Sequence, residues 1–311
     1  MYMKKLFLTL TLLAAFTVSA TDNTAASGSV VAVKEFTRSF PVSPGGQLTL
    51  TTDFGSIKIV GSSDDKVSIM ARMRGSDDDL KDFEITAEKT GNDVTIRGNW
   101  MRKNNFFGHN SNSMDVDYIV NVPSQYNVSL GTAGGNIVIQ DVKGLIQGGT
   151  SGGNLDLTNI NGNAELKTSG GNIRAKSTTG NLNMRTSGGN VSMSNINGDL
   201  DVSTSGGSIR IEDINGRTNA ETSGGHIEVY VSGNNKGVNV ETSGGHIALY
   251  LPKNIAATID ASTSGGEVEF DLPIMVNGKM RENKVRGTIN GGGELIRAHT
   301  SGGDIRILTR N

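Results

Sequence analysis

The sequence predicts an all-β fold, a single-stranded β-solenoid (β-helix) of ~18-residue coils with an irregular N-terminal β cap. Three observations carry that expectation. First, Thr-Ser-Gly-Gly is written eight times between Thr150 and Gly303, with Thr132-Ala133-Gly134-Gly135 as a near-copy ahead of them. The copies begin at 132, 150, 168, 186, 204 and 222, five steps of 18 residues, and continue at 242, 263 and 300. A fixed period of this size is one supersecondary unit stacked on copies of itself. Second, each unit holds two short runs in which apolar and polar residues alternate, such as Leu155/Leu157 with Asp156/Thr158 and Leu200/Val202 with Asp201/Ser203. Alternation of period two describes strands with one buried and one solvated face. Third, nothing in the repeats sustains a helical period.

Turn residues separate the runs. Gly-Gly marks one corner, and Asn161-Gly162, Asn197-Gly198 or Asn215-Gly216 the other. Asn-Gly also suits antiparallel hairpins. A meander of this length would be an open sheet of well over ten strands with no second layer, and sheets rarely grow beyond about ten. Coiling avoids that. It stacks Ile137, Leu155, Ile173, Val191, Ile209, Ile227, Ile247 and Val268 into one apolar column and Ile139 to Phe270 into a second. Asn136, Asn154, Asn172 and Asn190 then form a ladder about 4.8 Å apart, as do the threonines. Both ladders read as structural, with the corner glycines supplying positive φ.

The ends differ from the repeats. Residues 1–20 pair Lys4-Lys5 with an apolar run from Leu6 to Phe16 and end in Val18-Ser19-Ala20, the pattern of a secretory signal cleaved after Ala20. A polar tail follows over 21–29. Residues 30–122 form a less regular β region and cap, with strand-like runs at Lys66–Ala71, Phe83–Ala87, Asp93–Arg97 and Asp115–Val122. Phe54-Gly-Ser-Ile-Lys-Ile-Val-Gly61 within it matches the repeat, which makes the region the opening of the same stack. Residues 123–311 are the repeat solenoid, interrupted by an excursion at Asn277–Asn283 before a hairpin-like segment, Gly287–Leu308.

With no cysteine in 311 residues, neither a disulfide nor the lipid-bearing cysteine of a lipoprotein is expected, and stability rests on strand stacking. No later stretch of ~18 apolar residues predicts a transmembrane helix. A net charge of -2 with scattered Lys and Arg argues against nucleic acid.

The entry Gly45-Gly46-Gln-Leu48-Thr-Leu50-Thr-Thr52-Asp-Phe-Gly55-Ser-Ile57-Lys-Ile59, the Val122-Pro123 step and the Thr-Ser-Gly-Gly-Asn-Ile repeats resemble a bacterial β-strand-repeat family known as the "putative adhesin" domain of unknown function. The resemblance covers roughly residues 36–308. It implies an exported, envelope-associated protein and brings no catalytic signature.

Three specific chemistries fit the repeat poorly. Calcium-binding β-rolls need Gly-Gly-x-Gly-x-Asp, but Leu155 stands where the third Gly belongs and the acid is not repeated in the next coils. A pectinase-like enzyme needs paired carboxylates in a cleft, and coils of 18 residues without insertions build no cleft walls. An ice-binding face needs two outward Thr ranks, and the second residue here is a corner Ser. Two departures remain as candidate sites. In the last coils the Asn column becomes His226, His246, Glu267, predicted to stack and offered as ligands for zinc, copper or nickel. Tyr230 and Tyr250 stack two places away from glutamates, an arrangement suited to a sugar. The loop Asn99–Met114 carries Trp100, Phe106 and Phe107, which either bind a partner or fold back to cap the column.

The expectation for function is a non-catalytic, monomeric protein of the periplasm or cell surface that presents a solenoid face to an envelope component, glycan or protein, without a cofactor. The alternative is a polysaccharide-active or polysaccharide-binding β-helix protein.

Overall fold

The computed structural model describes residues 31–101, 114–232, 236–276 and 281–310. Among them the strands form two sheets, of 13 and 14 strands, and the one helix is the single turn Asp77–Asp82. Each 18-residue unit gives one strand to each sheet, for example Leu155–Asn161 to the first and Ala164–Thr168 to the second. Coil stacks on coil in parallel and in strict register: Leu155 beside Ile173, Ile173 beside Val191, Val191 beside Ile209. The expected solenoid is therefore what the chain builds.

The core is the space between the sheets. The column from Ile137 to Ile247 is at most 1 % exposed; Ile57 extends it into the N-terminal region, as Ile59 extends the column of Ile139. A third column, unforeseen from the alternation, runs through Val142, Ile160, Thr178, Ile196 and Ile214. It follows a corner where Asp141, Asn159, Ser177, Asn195 and Asp213 adopt φ of 52–59°, a left-handed conformation that Asn and Asp tolerate. That single left-handed residue breaks the period of two and returns the next side chain to the interior.

Thr178 in this column and Thr218, between Leu200 and Val238, are at most 1 % exposed, and neither hydroxyl has a hydrogen-bond partner. A buried hydroxyl without a partner costs about 1–3 kcal/mol. Thr178→Val and Thr218→Val keep the shape and remove that cost, so each is expected to stabilise the fold by roughly 1 kcal/mol. Thermal melting of the double variant above the parent is the check; an equal or lower melting temperature contradicts it.

The order of coils departs from the order of the chain at both ends. The coil Leu295–Thr309 lies between the coils that contain Val238–Leu251 and Ala257–Phe270: Ile305 pairs with Ile247 on one side and Val268 on the other, and Ile296 pairs with Val238 and Ile259. The segment expected as a closing hairpin, Gly287–Leu308, is thus an antiparallel strand end followed by an inserted coil. The reason lies in the free edges. Lys284–Ile289 runs antiparallel along the outer edge of Ala257–Thr263, with Met275–Val276 beyond it, so only the inner edge is left for the last coil. At the other end Gln47–Ser62 sits between the strands Asp93–Trp100 and Asp115–Pro123 on one side and the first regular repeat on the other. There the outer edges are covered by antiparallel Phe83–Thr90, Lys66–Gly75 and Ala32–Pro41. Antiparallel strands end a stack that would otherwise keep growing by parallel addition.

Candidate functional site

The Thr-Ser-Gly-Gly corner is a hydrogen-bond device. Each Thr hydroxyl donates to the second-Gly carbonyl of the neighbouring coil and accepts from the second-Gly N–H of its own corner, as Thr204 does with Gly189 O at 2.8 Å and Gly207 N at 3.3 Å. The second glycine is held by close approach and not, as expected, by positive φ: a Cβ on Gly207 would lie 2.0 Å from Gly189 O. The inserted coil joins in the same way, with Thr300 donating to Gly245 O and Thr263 to Gly303 O.

The Asn ladder is satisfied as well. Each Asn Oδ1 accepts the next coil's backbone N–H, Asn154 from Asn172 at 2.8 Å and Asn172 from Asn190 at 2.8 Å. His226 and His246 continue it. His226 Nδ1 accepts from His246 N at 2.9 Å, His246 Nδ1 accepts from Asp304 N at 2.8 Å, and the rings stack 5.2 Å apart. An imidazole that accepts at Nδ1 carries its proton on Nε2, which leaves no lone pair for a metal. The inserted coil also places Asp304 between His246 and Glu267, so the expected His226–His246–Glu267 stack is not formed. Among the described residues no group of three or more His, Cys, Asp or Glu is placed to hold a metal ion.

Tyr230 and Tyr250 do stack, 4.3 Å apart and 6° from parallel. The other face of Tyr230 is covered by the Arg210 guanidinium at 4.8 Å, and its hydroxyl donates to Glu228 at 2.6 Å, which pushes the phenol pKa up. Arg210 in turn binds Glu212 at 2.6 Å and Glu228. On the far side the register partner of Tyr250 is Leu308. A sugar stacks on an open ring face, and both faces of Tyr230 are taken.

Trp100 ends the strand Asp93–Trp100 and folds back. It stacks on Phe54 at 5.5 Å, meets the edge of Phe83 at 5.4 Å, and packs against the core. Phe106 and Phe107 lie outside the described residues.

The outer face of the second sheet, which the sequence does not single out, is open as well. Two shallow troughs lie on it, of about 500 and 480 Å³. The first is lined by amides and carboxylates, among them Gln147, Glu165, Asn183, Asp201 and Asn219, which form one outward rank. The Asn183 Oδ1 within it is buried and has no partner. The second runs over Gly131 and Gly149 between the corner serines and the side chains of Lys167 and Arg185.

Residues 46–308 match the family model described as Toastrack DUF4097. The chain belongs to the Toastrack family. No curated protein matches it. Several solved structures resemble this Toastrack chain. One is a "putative adhesin" of Bacteroides fragilis, 14 % identical over 89 % of this chain and 97 % of that one, with a TM-score of 0.42. Another is a "putative lipid binding protein" of Parabacteroides distasonis, 16 % identical over 88 % and 96 %, TM-score 0.44. A third is a "putative cell adhesion protein" of Clostridium sporogenes, 17 % identical over 89 % and 100 %, TM-score 0.23. At such identities and scores these likenesses carry no argument about a ligand. No helix among the described residues is long and apolar enough to cross a membrane.

Proposed function

We propose that this Toastrack protein is an exported, non-catalytic interaction scaffold of the cell envelope that binds an extended polar ligand along the outer face of its second sheet. One observation carries the reading. That face holds adjoining open troughs whose outward side chains repeat at the strand spacing of about 4.8 Å, whereas the Asn, His and Tyr features of the first sheet are spent on their own hydrogen bonds and stacking. A regular rank of amides, hydroxyls and charges suits a polymer whose own groups recur along its length, a glycan above all. The leader-like residues 1–20 support export.

The test is a binding assay of purified protein against envelope and plant glycans, run with a product assay. Saturable binding without turnover is the expected result. Turnover abolished by substituting a single aspartate overturns the proposal in favour of a glycan-active enzyme. Cell fractionation with protease shaving tests the address, and cytoplasmic protein contradicts it.

A further inference from the structure

The glycine-floored trough has a composition of its own. Among the residues that line it the only charged ones are Lys167 and Arg185, neighbours in register on adjacent strands, in a chain of net charge -2. Along the same outward rank the order of side chains is Arg97, Thr51, Gly131, Gly149, Lys167, Arg185. Cations therefore flank a window almost free of side chains, about 24 Å from end to end at the usual strand spacing. Arg185 reaches Ser203 at 3.4 Å and Asp201 at 3.6 Å. Arg97 and Lys167 have no ion-pair partner among the described residues.

The two glycines of the floor differ in cause. A Cβ on Gly149 would lie 2.0 Å from Lys167 O, so packing alone requires glycine there. A Cβ on Gly131 would meet only Thr51 Cγ2, at 3.7 Å, and the φ of Gly131 is not positive. Neither packing nor backbone conformation requires glycine at 131, yet a side chain there would stand in the middle of the window. An unpaired cation at each end, Arg97 and Lys167, and a floor kept clear beyond what the fold demands point to one class of occupant. It carries spaced negative charges, and it is thin enough to lie along the axis between the neighbouring hydroxyl and amide groups.

We propose that this window binds a linear anionic glycan, its carboxylate, sulfate or phosphate groups meeting Arg97 at one end and Lys167 and Arg185 at the other. The inference rests on the proposed function and names the ligand class and subsite. Salt would weaken such binding because the cations are exposed.

The experiment titrates full-length protein with alginate, dextran sulfate, uncharged dextran and single-stranded DNA, and compares wild type with Lys167→Glu/Arg185→Glu and with Gly131→Thr. Gly131→Thr leaves the charge unchanged and has room for its Cβ, so thermal melting controls for folding. The expected result is salt-sensitive binding of alginate or dextran sulfate, whichever carries the matching group, with both variants weaker by about tenfold or more, a loss of about 1.4 kcal/mol. Wild-type affinity in Gly131→Thr overturns the window and leaves only diffuse attraction. Equal binding of DNA does the same. Binding of dextran alone overturns the anionic ligand while leaving the glycan scaffold standing, and binding of no glycan at all overturns both.

Discussion

Gly207→Val is expected to destroy the middle of the stack. Its Cβ would stand 2.0 Å from Gly189 O and 2.4 Å from Gly189 C, both backbone atoms that no rotamer change moves. Relief requires the two coils to separate at that corner. Separation breaks the bonds that cross this interface, from Thr204 to Gly189 O and from Ser205 N and Gly206 N to Ser187 O. Three bonds at about 1 kcal/mol each, plus lost packing on both sides, come to roughly 4 kcal/mol or more. Gly206→Ala, one residue away, is the control: its Cβ would sit 3.7 Å from the nearest backbone oxygen. Denaturant unfolding is expected to show Gly206→Ala within about 1 kcal/mol of wild type and Gly207→Val far below it. Equal losses at the two positions would mean that the corner is not held by close approach.

The second large effect concerns the inserted coil. Ile305 is fully buried between Ile247 and Val268. Ile305→Asp places a carboxylate there without a counter-charge, at a cost of several kcal/mol. Because each coil contacts only its neighbours, the loss is expected to stay at that end. The coil Leu295–Thr309 leaves, its bonds from Thr300 to Gly245 O and from Arg310 to Asp213 break, and the slot it filled opens. Hydrogen exchange should speed up across Ala257–Thr309 while Leu155–Val231 keeps its protection. Uniform loss of protection along the whole chain would contradict a stack of semi-independent coils.

Most of the solenoid was legible because its cause is local and repeated. Alternation gave the two strands of every coil, and the corner motif gave the spacing at which Leu155, Ile173 and Val191 meet. What stayed hidden depends on relations between distant segments. The sequence cannot reveal that Lys284–Ile289 occupies the outer edge of Ala257–Thr263, and so cannot place Leu295–Thr309 inside the stack. The expectation of Glu267 beside His246 fails for that reason. Thr52-Asp53-Phe54-Gly55 hid a degenerate corner: Thr52 donates to Phe54 O, and Gly55 O accepts from Thr132, although Ser-Gly has become Asp-Phe. The candidate sites misled through one assumption, that unusual residues in a rank are free to bind. His226 merely replaces Asn as an acceptor of a backbone N–H, and Trp100 seals the column beside Phe54. The window on the second sheet was missed because its signal is an absence, two glycines in a rank that elsewhere bears side chains.

Every face described for this molecule depends on which coil lies beside which, and engineered disulfides read that directly in a chain without cysteine. His299 stands in register with Glu241 on one side and Ser262 on the other. Neighbouring strands lie about 4.8 Å apart, within the reach of a disulfide, and alternate strands about 9.6 Å apart, beyond it. Mild oxidation should therefore close Glu241→Cys/His299→Cys and Ser262→Cys/His299→Cys and leave Glu241→Cys/Ser262→Cys reduced. A disulfide in that third variant, with Glu241→Cys/His299→Cys open, would mean that the coils stack in chain order and that the last coil is not inserted.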